Sequence, residues 1–153
     1  MSQMTNELAV RKSILVECPV DTAFRVFTER TADWWPFEGH SIFDQDAESV
    51  VFEPRVGGRV YERSRTGEEG LWGSLTAWDP PNGLTMTWHP GRDASTAQEL
   101  EIRFRAEGTA TRVDVLHTGF ERHEADAEAV RASYDQGWGT VLDLFADEAR
   151  REA

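Results

Sequence analysis

The sequence predicts an α+β fold in which a curved, seven-stranded antiparallel sheet wraps round one long C-terminal helix. Three observations carry that reading. Through the centre of the chain, apolar residues recur at every second position between explicit turn signals, the pattern of half-buried strands. From Tyr134 onward the period changes to three and four residues, the pattern of an amphipathic helix. Between the first strand and the rest, a short helical pattern intervenes.

In chain order, residues 1–7 are polar and read as a flexible N-terminal tail, so that residues 8–151 make a single domain. Residues 8–18 alternate, with Val10, Ile14 and Val16 on one parity and Arg11, Ser13 and Glu17 on the other. Pro19 ends this strand, and Asp21 and Thr22 supply helix-start chemistry. Val20, Ala23, Phe24 and Phe27 then fall on one helical face, residues 31–35 add a further turn, and Pro36 stops it. Two strands at 48–54 and 59–65 flank Gly57-Gly58, a pair suited to the positive φ angles of a tight hairpin. A turn at 66–70 leads to a strand at 71–78, and Asp79-Pro80-Pro81-Asn82-Gly83 breaks the chain again. Leu84, Met86 and Trp88 share the inner parity of the next strand. After a loop over 90–96, Leu100, Ile102 and Phe104 alternate with charged neighbours, and Val113, Val115 and His117 line the inner parity of the last strand. One covered and one solvated face describe an antiparallel sheet. In the final helix Tyr134, Trp138, Val141, Leu142, Phe145 and Ala149 form the apolar stripe. Gly137 and Gly139 interrupt it, each costing roughly 0.5–1 kcal/mol relative to alanine, so they point to a kink, a close approach, or room beside the Trp138 ring.

At 153 residues, with 39% hydrophobic and 29% charged side chains, the chain suits one folded domain with a sizeable core. Its net charge of −12 opposes phosphate backbones and anionic membrane surfaces, so no nucleic-acid partner is expected. No apolar run approaches a membrane span and no leader opens the chain, which implies no membrane insertion and a cytoplasmic location. The one cysteine, Cys18, forms no internal disulfide and reads as a small buried apolar residue.

The stretch Glu53-Pro54-Arg55-Val56-Gly57-Gly58-Arg59-Val60 resembles the glycine-pair hairpin of homologues of the heat-shock protein 90 ATPase activator. So do Gly73 followed by Trp78-Asp79-Pro80-Pro81, and Leu84-Thr85-Met86-Thr87-Trp88. Thr111-Arg112-Val113, His117-Thr118-Gly119-Phe120 and Gly137-Trp138 complete a match that runs from Val10 to Phe145. The resemblance implies the helix-grip fold of the START/Bet v 1-like (SRPBCC) superfamily, which includes lipid carriers, hormone receptors, polyketide cyclases and stress-related proteins. It attaches no catalytic role to any residue here, and a chaperone partner would follow from the family name rather than from any motif.

Six Trp, eight Phe and two Tyr form a large aromatic complement. Trp88, Phe104 and Trp138 should point between sheet and helix, and Phe52 and the Trp34-Trp35 pair toward a cavity mouth. Trp35, Phe52, Trp88, Phe104, His117 and Trp138 are therefore the expected ligand-binding set. His117 reads either as a hydrogen-bond donor to a ligand or as a buried histidine satisfied within the protein. Arg63 would meet an anionic group if it faced inward with Tyr61, and otherwise join a cross-strand ion pair; the parity around Tyr61 and Trp72 stays open. No phosphate loop, nucleophile elbow or zinc-protease helix occurs, and His40, His89, His117 and His123 lack metal-ligand spacing. No catalytic residue, metal or cofactor is expected.

Binding of a small apolar or amphipathic ligand (lipid, polyketide or aromatic metabolite) is the leading expectation. The alternatives are a cyclase or hydrolase using His117 as acid and base, and a protein-interaction module resembling the chaperone ATPase activators. A homodimer through a sheet edge or the helix is a further option.

Overall fold

The computed structural model describes residues 9–37, 40–90, 97–120 and 127–151. The tail expected over residues 1–7, His123 and most of the loop over 90–96 lie outside them. β1 (Val10–Val16) leads into α1 (Val20–Glu29), followed by 3-10 turns at Thr31–Asp33 and Asp44–Asp46. Then come β2 (Ala47–Phe52), β3 (Arg59–Ser64), β4 (Glu69–Asp79), β5 (Gly83–Trp88), β6 (Gln98–Glu107), β7 (Ala110–Thr118) and α2 (Ala127–Arg151). The strands form one antiparallel sheet in the order β1-β7-β6-β5-β4-β3-β2. Neighbours in sequence are thus neighbours in space, apart from β1, which pairs with β7. Together with α2 this is the expected α+β helix-grip fold.

The sheet curves where its register slips. Glu48, Trp72 and Thr76 are each the extra residue of an irregularity, in β2, β4 and β4 respectively. Such bulges bend a strand and raise its twist. The inner parity is the one that alternation indicates: Val10 and Val16, then Leu84, Met86 and Trp88, then Leu100, Ile102 and Phe104, then Val113, Val115 and His117 are all buried. Outward, β6 and β7 carry ion pairs such as Arg103–Glu101 at 2.7 Å and Arg105–Asp114 at 2.8 Å.

Three local details are refined. The first helix starts at Val20 with Pro19 at its cap and no side-chain cap bond. Asp21 sits inside the first turn, where its charge still favours the helix N-terminus. In the Gly57-Gly58 hairpin only Gly57 has a positive φ, of 85°. Gly58 is needed for space instead, because a Cβ there would run into the Glu53 carbonyl oxygen. Finally, α2 runs unbroken through Gly137 and Gly139. A Cβ on Gly137 would make ordinary contact with His40, at 3.7 Å from Cδ2, and one on Gly139 would meet nothing within 4 Å. No close approach requires either glycine.

Aromatic rings fill most of the space between sheet and helix. Phe24 and Phe27 of α1 pack on Phe104, with centroids 5.2 and 5.9 Å away, and Phe27 meets Phe145 of α2 at 5.2 Å. Trp34 joins them at 5.1 Å from both Phe27 and Phe145, its indole donating to the Val26 carbonyl. Tilted and edge-on arrangements of this kind satisfy the ring quadrupoles. Beside this packing, open space remains at one end of the grip.

Candidate ligand cavity

That space is a cavity of about 350 Å³ between the first half of α2, the end of β5 and the segment after Trp35. Tyr134, Gly137, Trp138 and Val141 form the helix wall; Trp88 comes from the end of β5 and Pro90 from just beyond it, and Trp35, His40, Ser41 and Ile42 from the opposite side. The size is at the lower end of the range for small-molecule sites.

Each tryptophan in this wall has already committed its N–H. Trp35 Nε1 donates to the His40 carbonyl at 3.0 Å, Trp88 Nε1 to the Tyr134 hydroxyl at 3.1 Å, and Trp138 Nε1 to His117 Nδ1 at 3.0 Å. These bonds lock the ring planes. What the three indoles offer the cavity is carbon edge and π surface, which suits an aromatic guest. The Ser41 hydroxyl is also spent, donating to the Phe37 carbonyl at 2.7 Å and accepting from the Asp44 amide at 3.1 Å. With its proton given to one backbone group and its oxygen taken by another, it is not poised as a nucleophile.

His117 lies beneath this wall, fully buried. Its row in the sheet is apolar, with Val10 on one side and Leu100 on the other. Because the Trp138 indole can only donate, His117 Nδ1 must accept, so Nε2 carries the proton and gives it to Gln98 Oε1 at 2.6 Å. The neutral tautomer is fixed on both sides, and burial lowers the pKa to about 3. The arrangement is that of a histidine satisfied within the protein, with neither nitrogen facing the cavity.

The expected ligand set therefore divides. Trp35, Trp88 and Trp138 come together round the cavity; Phe52 and Phe104 pack on Phe27 in the aromatic core, and His117 sits one layer behind Trp138. Trp34, placed at the mouth on sequence grounds, is a core ring. Tyr134 and Val141 were visible as members of the helix stripe, and Gly137 as an anomaly within it. Nothing in the spacing singled out His40, Ser41, Ile42 or Pro90.

The open parity in β3 resolves in an unexpected way. Val60, Glu62 and Ser64 face inward and are buried. Tyr61 and Arg63 face outward, and Tyr61 is covered by arginine: the Arg59 guanidinium lies 4.6 Å above its ring and that of Arg63 at 5.8 Å. Arg63 also reaches Glu69 at 3.5 Å, so it belongs to the outer face. The inward charge is Glu62. Its Oε1 accepts from the Trp72 indole at 2.6 Å and the Ile42 amide at 2.7 Å, and its Oε2 from the Phe43 amide at 2.8 Å.

His89, of opposite parity to Trp88, is nonetheless buried, its amide bonded to the Trp72 carbonyl at 2.7 Å. Cys18 is 2% exposed, and burial followed by the Asp21 charge raises its thiol pKa, as befits an inert residue. Among the described residues no three His, Cys, Asp or Glu converge as a metal site requires, and no helix is long and apolar enough to cross a membrane.

Residues 17–149 match the family model described as activator of Hsp90 ATPase homolog 1-like protein. No curated protein matches the chain. Among solved structures, the anthrahydroquino-γ-pyrone synthase Txn09, determined complexed with SUM, is 35% identical, with 91% of this chain and 95% of that one covered and a TM-score of 0.61. CalC from Micromonospora echinospora, a self-sacrificing resistance protein, is 33% identical over 95% of this chain and 96% of that one, with a TM-score of 0.67. Protein MLL2253 from Mesorhizobium loti is similar in fold, with a TM-score of 0.72 at 17% identity over 95% of this chain and 98% of that one.

Proposed function

The chain belongs to the activator of Hsp90 ATPase homolog 1-like family, and from that premise we propose that it binds a small, flat aromatic molecule in the cavity beside the Tyr134–Val141 face of α2. The observation that carries this reading is the wall itself: three indoles, held by hydrogen bonds to the protein's own groups, border a space of about 350 Å³. Affinity would come mainly from apolar contact, at about 25 cal/mol per Å² buried, on rings that need no reordering. The name of the 35% identical relative, an anthrahydroquino-γ-pyrone synthase, supports a fused-ring guest over an acyl chain.

Gly137 makes the test clean. It lines the cavity from a helix surface, so Gly137→Leu should plug the site while improving helix propensity. Calorimetric titration with 1,4-dihydroxyanthraquinone should show saturable binding by the parent protein and at least about a tenfold weaker Kd for the variant. Equal affinity in the two would place the dye elsewhere and defeat the proposal.

The word synthase also favours a second reading, catalysis in the same cavity. His117 is a poor acid or base for it, since both ring nitrogens are bonded within the protein. Of the described lining residues, His40 and Tyr134 carry the side chains suited to proton transfer. Catalysis would then show as turnover lost in His40→Gln with binding retained. For the interaction-module reading, the exposed large apolar side chains among the described residues are Leu15, Val56, Leu71 and Leu144, which come from β1, the β2–β3 turn, β4 and α2.

A further inference from the structure

A carboxylate that is fully buried and meets no cation is costly unless hydrogen bonds replace its water. Glu62 is such a group. It is 0% exposed, and among the described residues no ion pair joins it, because Arg59 and Arg63 on the same strand face the other way. Three donors converge on it instead: two successive backbone amides, Ile42 and Phe43, and the Trp72 indole.

Those donors lead directly to the cavity. Ile42 lines it. The Trp72 ring packs against two further lining rings, tilted on Trp35 at 4.8 Å and edge-on to Trp88 at 5.2 Å. Trp35 is tied back to the same segment through the His40 carbonyl. An independent feature of the sheet matches this seat. Gly70, the register partner of Glu62 on β4, has no side chain where Ile42 and Phe43 press down; a Cβ there would lie 2.7 Å from Ile42 Cδ1 and 3.2 Å from the Phe43 ring.

We propose that Glu62 and Gly70 form a seat that fixes the Ile42–Phe43 backbone as the cavity wall opposite α2, making Glu62 a positioning residue for ligand recognition. This rests on the binding function proposed above. Glu62 does not touch the ligand space; it acts through Ile42, Trp72 and, one ring further on, Trp35 and Trp88. A carboxylate suits the task because its two oxygens accept from three donors without donating to any. An amide would turn an N–H toward one of them.

The test uses Glu62→Gln and Gly70→Ala in the full chain, with two readouts. Amide hydrogen exchange without ligand reports the seat itself: Ile42 and Phe43 should exchange about tenfold to a hundredfold faster in Glu62→Gln, the loss of one charge-assisted hydrogen bond, while β6 and β7 amides keep their ranking. Titration with 1,4-dihydroxyanthraquinone reports recognition, where Kd should rise about tenfold in Glu62→Gln and less in Gly70→Ala, whose methyl displaces the flexible end of Ile42. If Glu62→Gln does not fold, Gly70→Ala carries both readouts with the carboxylate intact. Unchanged exchange at Ile42 and Phe43 in a folded variant would overturn the seat. Faster exchange with parental dye affinity would overturn its role in recognition. Failure of the parent protein to bind the dye would remove the binding function and that role together, leaving the exchange result to decide the seat alone.

Discussion

Gly139 is the simplest residue on which to check the local physics. It sits inside α2 with nothing within 4 Å of where a Cβ would stand. Gly139→Ala should raise stability by about 0.5–1 kcal/mol in a urea titration, through helix propensity and a less free unfolded chain. A loss of stability would mean that the glycine serves a contact absent from this fold. His117 makes a second, sharper case. Burial lowers its folded pKa from 6.5 to about 3, so between those values the unfolded chain binds the extra proton and the folded one does not. Stability from this group is therefore complete above about pH 6.5 and declines as the pH falls toward 3, by roughly 1.4 kcal/mol per pH unit. The ion-paired carboxylates of Glu53, Glu107 and Glu128, lowered from 4.5 by hydrogen bonds to arginine, add their own loss only below that value. Between pH 6.5 and 4.5 the slope should fade in His117→Gln. An identical slope in the variant would show that this window belongs to another group.

At the scale of elements, α2 is held by its stripe. Phe145 is fully buried, packed 5.2 Å from Phe27 and 5.1 Å from Trp34, while its neighbour Leu144 faces solvent at 37% exposure. Phe145→Ala should cost about 3–5 kcal/mol, and Leu144→Ala should stay within about 0.5 kcal/mol, when both are measured by denaturant unfolding. Comparable losses would mean that the helix docks by another face. The same elements show what was legible beforehand. The stripe Trp138, Val141, Leu142, Phe145, Ala149 and the parity of β5, β6 and β7 could be read directly, because burial on one face imposes a period that the residue types obey. β3 could not be read that way. Val60, Tyr61 and Glu62 are buried in succession, Tyr61 under two arginines of the outer face and Glu62 under the indole of a bulged strand. In β4 the difficulty is different: the bulge at Trp72 adds one residue to that strand, and parity carried across it reverses. The helix start was legible too, with Asp21 acting through its charge in the first turn while Pro19 stands at the cap.

For the whole molecule, the division runs between what fills the grip and what is left open. Aromatic content foretold rings between sheet and helix, but content alone cannot say which rings pack on each other and which border a space. Phe52 and Phe104 went to the core, whereas Trp35, Trp88 and Trp138 went to the cavity. The difference depends on long-range placement, chiefly on where Glu62 seats the segment containing Ile42, and no local pattern encodes that. A cavity at one end also explains why a histidine on the inner parity need not meet a ligand: His117 supports the Trp138 ring from behind. The most direct measurement follows the six indole N–H resonances by two-dimensional nitrogen–proton NMR during titration with 1,4-dihydroxyanthraquinone. The signals of Trp35, Trp88 and Trp138 should shift together and saturate, while those of Trp34 and Trp78, which lie outside the cavity wall, stay in place. Shifts confined to Trp34 and Trp78, or none at saturating dye, would contradict a ligand site at the end of the grip.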